Sequence, residues 1–204
     1  IASLTFFDPA CGSGNFLTET YISIRKLENE VIELINQGQI VLETGNLIKV
    51  KIHQFYGIEI NDFAVTVAKT ALWIAESQMM KKTEEIIHMN IDFLPLKAYA
   101  NIIEENALRI DWNDVIDKNE LNYIMGNPPF IGMKEMTNSN KEDMKLVIPI
   151  KKFKQMDYVA CWYFKAAEYM KNTNIISAFV SSNSIVQGEQ ALTIWEPLLL
   201  KYKL

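Results

Sequence analysis

Short apolar runs alternate with longer stretches of three- and four-residue apolar spacing along the whole chain, the pattern of alternating strands and helices around a mostly parallel sheet. Leu4–Phe7 is the first expected strand. Phe16, Leu17, Tyr21, Ile24, Leu27, Val31, Leu34 and Ile35 then recur at helical spacing, and the helix they predict ends near Gly38. A second strand, Phe55–Ile58, ends at Glu59; Asp62 is expected to cap a helix whose apolar face includes Val65, Ala68, Leu72, Ile74 and Ala75. Between Ile40 and Val50 the Glu43-Thr44-Gly45-Asn46 turn predicts an inserted hairpin or loop. Ile102-Ile103 leads a third strand toward Asn106-Ala107, and Asp111-Trp112 opens the connection beyond it. Tyr123–Met125 and Ile175–Val180 are the fourth and fifth strands, with a helix from about Asp157 to Met170 between them. Glu189 to Leu200 is again helical in period, with Pro197 expected to kink or interrupt it because proline lacks the amide donor. The expectation is one α/β domain over residues 1–204, a mostly parallel sheet flanked by helices.

At 204 residues and 49% hydrophobic the chain can bury a core, and no composition break marks a second domain. No eighteen-residue apolar run is present, so no membrane association is expected. The chain opens on Ile1 with no basic segment ahead of an apolar run, which reads as a cut inside a longer cytoplasmic protein. Cys11 and Cys161 give no disulfide framework and point to a reducing compartment; His53 and His88 lie in no ligand spacing, so no metal site is expected. A net charge of −5 excludes a domain whose whole surface grips nucleic acid. Any such contact is local, and Lys134 through Lys154, with Lys141, Lys145, Lys151 and Lys152 between, reads either as that contact or as a solvated surface.

Two segments carry chemistry. Asp8-Pro9-Ala10-Cys11-Gly12-Ser13-Gly14-Asn15-Phe16 runs from the first strand through a glycine turn into a helix. Gly12 and Gly14 let the backbone approach a ligand closely, and the helix start offers unpaired amides. A dinucleotide fingerprint would place a third glycine where Leu17 stands and an acid roughly 20 residues on; here Glu59 comes about 45 residues after Gly14. Glu59 can accept both hydroxyl hydrogens of a ribose, or cap a helix. Asn106 can supply an amide to a purine edge, or serve as a turn residue bonding its own backbone. The second segment, Gly126-Asn127-Pro128-Pro129-Phe130, follows the fourth strand. The exocyclic amine of adenine is a poor nucleophile whose lone pair is delocalised. The Asn127 side-chain carbonyl and the Pro128 backbone carbonyl can accept its hydrogens, Pro128 and Pro129 stiffen the turn, and Phe130 offers a face for a base swung out of a duplex. Cysteine-based transfer to cytosine carbon-5 is not expected, since neither cysteine follows a proline; Cys11 reads as a buried turn residue and Cys161 as helix core.

These strings, with QFYGIEI at Gln54–Ile60, NALRIDW at Asn106–Trp112 and DYVACWYFKAAEYM beyond, resemble the adenine-specific DNA methyltransferases with the cofactor motif first. More closely, they resemble the MmeI-like methyltransferase domain of single-chain type II restriction-modification enzymes. The resemblance implies the Rossmann-like class I methyltransferase sheet, truncated here after its fifth strand and following helix. It also implies S-adenosyl-L-methionine as cofactor and transfer of its methyl group to adenine N6. By the resemblance, Asp8, Pro9, Ala10, Cys11, Gly12, Gly14, Asn15 and Phe16 hold the methionine portion and Glu59 the ribose. Ile60 packs on the cofactor adenine, Asn106 and Ala107 edge it, and Asn127, Pro128, Pro129 and Phe130 handle the target adenine. Double-stranded DNA is the implied partner, bound through the complete parent protein, which in the family commonly carries recognition and nuclease domains. A chain that stops after the helix beyond the fifth strand leaves that strand as an open edge, and is expected to self-associate through it and not to methylate a specific site alone. Enzymes of the same fold acting on protein glutamine or ribosomal RNA share Asn-Pro-Pro-aromatic and stand as the alternative.

Overall fold

The structure, a computed structural model, describes residues 1–35, 47–91, 100–149 and 156–202. Five strands lie in one sheet in the order β3 (Asn101–Glu104), β2 (Phe55–Glu59), β1 (Phe6–Asp8), β4 (Tyr123–Gly126), β5 (Ile176–Phe179), every pair parallel. The strand order reverses at β1, so the crevice outside the carboxyl ends of β1 and β4 is where ligands bind in such sheets. The α/β expectation holds.

Strand side chains alternate between two cores because successive residues point to opposite faces. Phe6, Phe55 and Ile102 pack with α1 (Asn15–Ile35) and α2 (Asp62–Ile87), while Phe7, Ile58 and Ile124 join Trp112 and Phe164 on the other face. Phe6 stacks on Phe55 and Tyr123 at 5.0 and 5.3 Å, and Phe7 meets Trp112 edge-on at 5.1 Å. That second face is built by α3 (Asn138–Val147), α4 (Ala160–Tyr169) and α5 (Glu189–Tyr202). Among the described residues, no helix is long and apolar enough to cross a membrane.

Several elements depart from the sequence expectation. β1 starts at Phe6 and takes in the polar Asp8, whose side chain is buried. The cap of α2 is Asn61, which accepts from the Ala64 amide at 3.0 Å; Asp62 is the first helical residue and bonds the Phe63 amide. Ile74 is exposed, and so are Phe16, Leu27, Val31, Leu34 and Ile35 of the expected α1 face. α1 instead buries Arg25, Glu28 and Asn29. Arg25 pairs with Glu28 and donates to Thr83 Oγ1 of α2 at 2.7 Å, while Glu28 accepts from the Lys49 amide at 2.7 Å and the Val50 amide at 3.1 Å. The cluster locks both helices to the segment that feeds β2. β3 ends before Asn106, α4 starts at Ala160, and α5 runs on through Pro197 without breaking. The expected end of α1 near Gly38 and the Glu43–Asn46 turn lie outside the described residues.

Candidate active site

The carboxyl ends of β1, β2 and β4 and the turn after β3 open onto one cleft of about 460 Å³. Pro9, Ala10, Gly12, Glu59, Ile60, Asn106, Ala107, Asn127 and Pro129 line it, so the glycine turn, the strand-end acid, the amide and the Asn-Pro-Pro segment are brought together. The glycine turn is held from three sides. Cys11 donates its amide to Ile58 O at 3.1 Å, Gly12 donates to Glu59 Oε2 at 3.0 Å, and the Trp162 indole donates to Pro9 O at 3.1 Å. Gly12 has φ +53°, a left-handed conformation, and a Cβ there would meet nothing within 4 Å. The space above this backbone is therefore open to a ligand.

Glu59 already accepts three amides: Gly12 on Oε2, and Ile60 and Asn61 on Oε1 at 2.9 and 3.0 Å. Its remaining capacity is about one acceptor site, not the two that bidentate ribose binding requires. Asn106 behaves as the turn residue that the sequence allowed. Its Oδ1 accepts the Leu108 amide at 2.9 Å, and its Nδ2 donates to Asp143 at 3.3 Å. Trp112 fixes the same turn by donating to Ala107 O at 2.8 Å.

The remaining sequence-selected residues lie beneath the cleft or at its rim. Asp8 is buried beneath the loop, accepts the Ala10 amide at 2.9 Å, and has its carboxyl pushed up to about 7 by burial, with the nearby Glu59 carboxylate adding to the rise. A Cβ at Gly126 would stand 2.4 Å from Asp8 Oδ1, so glycine before Asn127 is what lets the two motifs meet. Cys11 is a buried free thiol raised far above its usual range by burial, which makes it a packing residue, as is Cys161 in α4. Gly14 packs against Ala68 of α2, and Asn15 and Phe16 are exposed at the start of α1. Pro128 is buried, Asn127 is exposed, and Phe130 is 46% exposed between the lining residues Pro129 and Ile131.

The sequence profile of the MmeI DNA-methyltransferase domain matches residues 1–203. The chain belongs to that family. DNA methyltransferase A of Bacillus subtilis strain 168 is 41% identical to this MmeI-family domain over 202 residues, 97% of this chain and 23% of its own length. The solved structure of the type IIL restriction-modification enzyme MmeI in complex with DNA is 45% identical with a TM-score of 0.92, over 97% of this chain and 27% of that one. A nuclease-deletion mutant of the type ISP restriction-modification enzyme LlaGI, at 14% identity and TM-score 0.57, shares the fold. The MmeI-family domain thus spans about a quarter of the length of the relatives it matches most fully.

One wall of the cleft escaped the sequence. Ser139, Asn140 and Asp143 of α3 line it together with Ile131, Tyr158 and Trp162, and Glu105 stands at the end of β3. Asp143 is 2% exposed and ion-paired to Arg109 at 2.6 Å. The readable signal was Thr137 with Asn140 three positions on, which form a capping box. Of the lysine-rich stretch, Lys134, Lys141 and Lys145 are exposed, and Lys151, Lys152 and Lys154 lie outside the described residues.

Proposed function

We propose that this domain binds S-adenosylmethionine and transfers its methyl group to the N6 amine of an adenine turned out of duplex DNA, as the modification module of a longer restriction-modification protein. The observation that carries the reading is the convergence of Gly12, Glu59, Asn106 and Asn127 on one cleft at the point where the strand order reverses. The residues present suit the cofactor: an open left-handed glycine turn, a strand-end carboxylate with a free acceptor site, and further acid at Glu105 and Asp143. An acidic lining fits a ligand that carries a sulfonium and an ammonium.

When bound, S-adenosylmethionine supplies an electrophilic methyl group. Glu59 accepts one ribose hydroxyl and keeps Gly12 in place. Asn127 Oδ1 and the Pro128 carbonyl accept the two amine hydrogens of adenine, which aims the nitrogen lone pair into the cleft and stabilises the positive charge that develops on the nitrogen. Prolines at 128 and 129 fix these acceptors before the base arrives, and the half-open Phe130 ring stacks on it. DNA is gripped chiefly by the rest of the longer protein, given the net charge of −5.

Calorimetry should show binding of S-adenosylhomocysteine, and Glu59→Ala should weaken it by about 1–3 kcal/mol through lost charge-assisted hydrogen bonds. In the full-length protein Asn127→Ala should abolish N6-methyladenine formation on DNA, read by nucleoside mass spectrometry, with cofactor affinity nearly unchanged. Methylated glutamine or ribosomal RNA as the product, or tight NAD binding in place of the methionine cofactor, would sink the proposal.

A further inference from the structure

The loop that follows β5 carries a chain of hydrogen bonds to which the methyl-transfer reading above gives no part. Ser184 Oγ donates to Asp157 Oδ2 at 2.5 Å, and Ser182 Oγ lies 2.5 Å from Ser184 Oγ. A hydroxyl has one hydrogen, and Ser184 spends its own on the carboxylate. Ser182 is therefore the donor to Ser184, and the chain runs in one direction, from Ser182 through Ser184 to Asp157. Gln190 of α5 fixes the far end: its Nε2 donates to Asp157 Oδ2 and its Oε1 accepts the Asp157 amide, both at 2.9 Å. The near end is open. Ser182 caps the 3-10 turn Asn183–Ile185, a position from which serine commonly accepts an amide of the turn, yet its side chain makes no such bond. Among the described residues no donor reaches its half-buried oxygen, whose lone pairs are left to accept.

Both ends of the chain are tied to the Asn127–Phe130 segment. Val180, two residues before Ser182, donates its amide to Gly126 O at 2.9 Å, and Tyr158, next to Asp157, donates to Ile131 O at 3.0 Å. Gly12, Glu59 and Asn106, the proposed cofactor residues, stand at or beyond the ends of β1, β2 and β3, all to one side of β4; β5 is on the other. A base that meets the methyl group at Asn127 is left the β5 side, where Ser182 stands.

Methylation gives that acceptor work to do. As the N–CH3 bond forms and the pair of the S–CH3 bond stays on sulfur, the neutral amine becomes an ammonium and must shed one hydrogen as a proton. The carbonyls of Asn127 and Pro128 stabilise the charge but are too weakly basic to carry the proton away. We propose that Ser182 is a further catalytic residue: its oxygen takes the proton leaving N6 while its own hydrogen passes to Ser184 and that of Ser184 to Asp157. The methylated ammonium is a far stronger acid than a carboxylic acid, so the transfer runs downhill, and the half-buried Asp157 returns the proton to water. The inference rests on the adenine-N6 reading of the same cleft.

The test is single-turnover methylation by the full-length protein, in excess over sites in unmethylated bacterial chromosomal DNA, with N6-methyladenine measured by mass spectrometry. Ser182→Ala keeps the bonds of Ser184 and Gln190 to Asp157, so a merely structural clamp survives it. It should slow the step at saturating DNA by at least about tenfold, with affinity for S-adenosylhomocysteine unchanged. Ser182→Thr keeps the hydroxyl and should restore the rate to within about threefold. Asp157→Asn leaves Ser184 an acceptor that is no base, and should slow the step as Ser182→Ala does. A smaller fall in Ser182→Ala overturns the proposal, and so does a loss confined to DNA affinity or shared equally by Ser182→Thr. A folded Asp157→Asn at full rate overturns the relay to the carboxylate; where that variant does not fold, the two Ser182 variants decide. An unaltered protein that forms no N6-methyladenine overturns the methyl-transfer reading instead.

Discussion

Asp8 shows how single residues beneath the site trade stability for position. Its carboxyl is 1% exposed and titrates near 7 in place of 3.8, chiefly because burial disfavours the charged form. The folded chain therefore holds this proton more tightly than the unfolded chain. The favourable contribution is complete below pH 3.8, is lost progressively as pH rises to about 7, and stays lost above that. At roughly 1.4 kcal/mol per unit over a rise from 3.8 to about 7, the loss is on the order of 4–5 kcal/mol. Asn at this position can still accept the Ala10 amide without ever ionising. Asp8→Asn should thus flatten the fall in stability between pH 4 and 7 and raise the neutral-pH melting temperature, as followed by denaturation across that pH range. A variant with the same pH slope as the unaltered chain would show that Asp8 keeps an ordinary carboxyl. The charge is retained beneath the point where the glycine turn and the Gly126-Asn127 segment touch, which is where stability is commonly given up for function.

Between elements, the glycine turn is set by how closely α1 can approach α2. Gly14 has φ +82°, and a Cβ there would stand 2.9 Å from the Ala68 Cβ. Gly14→Ala should cost about 2–4 kcal/mol, combining overpacking with left-handed strain. Adding Ala68→Gly removes the closest contact but leaves the Ala68 Cα at 3.1 Å and the left-handed strain, so the double variant should be more stable than the two single costs predict by about 1 kcal/mol, read from denaturant midpoints. Strict additivity would place the cost of Gly14→Ala in the backbone alone. This level was the most legible in the sequence, because each strand is a short apolar run and each glycine turn or acid sits at its carboxyl end. What stayed hidden has a physical cause in each case. Leu27, Val31 and Leu34 carry helical spacing, yet the face of α1 turned inward holds Arg25, Glu28 and Asn29, whose burial depends on partners at Lys49, Val50 and Thr83 far away in sequence. α3 buries only Asp143 and Met144, so its polar surface masked its place as a cleft wall. Asp143 meets Asn106 and Tyr158 only in three dimensions.

Across the whole molecule, the sheet has one side on which β5 pairs only with β4 among the described residues. Ile176, Ser177 and Ala178 of β5 are exposed, as are Leu192, Leu199 and Leu200 of α5. In a parallel strand, amides alternate in direction. Ile176 N donates to Asn122 O at 3.0 Å and Val180 N to Gly126 O at 2.9 Å, so the amides of Ser177 and Phe179 face the open edge. Such a row of unpaired donors and acceptors is a template for another strand. The 204-residue chain expressed alone should therefore associate as its concentration rises, which sedimentation equilibrium measures directly. Its net charge of −5 opposes this only over a Debye length of about 8 Å at physiological salt, so raising the salt should strengthen the association. Ser177→Pro removes one outward amide, leaves the bonds from Ile176 and Val180 to the β4 side in place, and should return the chain toward monomer with its far-ultraviolet dichroism unchanged. A monomeric unaltered chain, or association that survives Ser177→Pro in a folded variant, would place the contact elsewhere than on this edge.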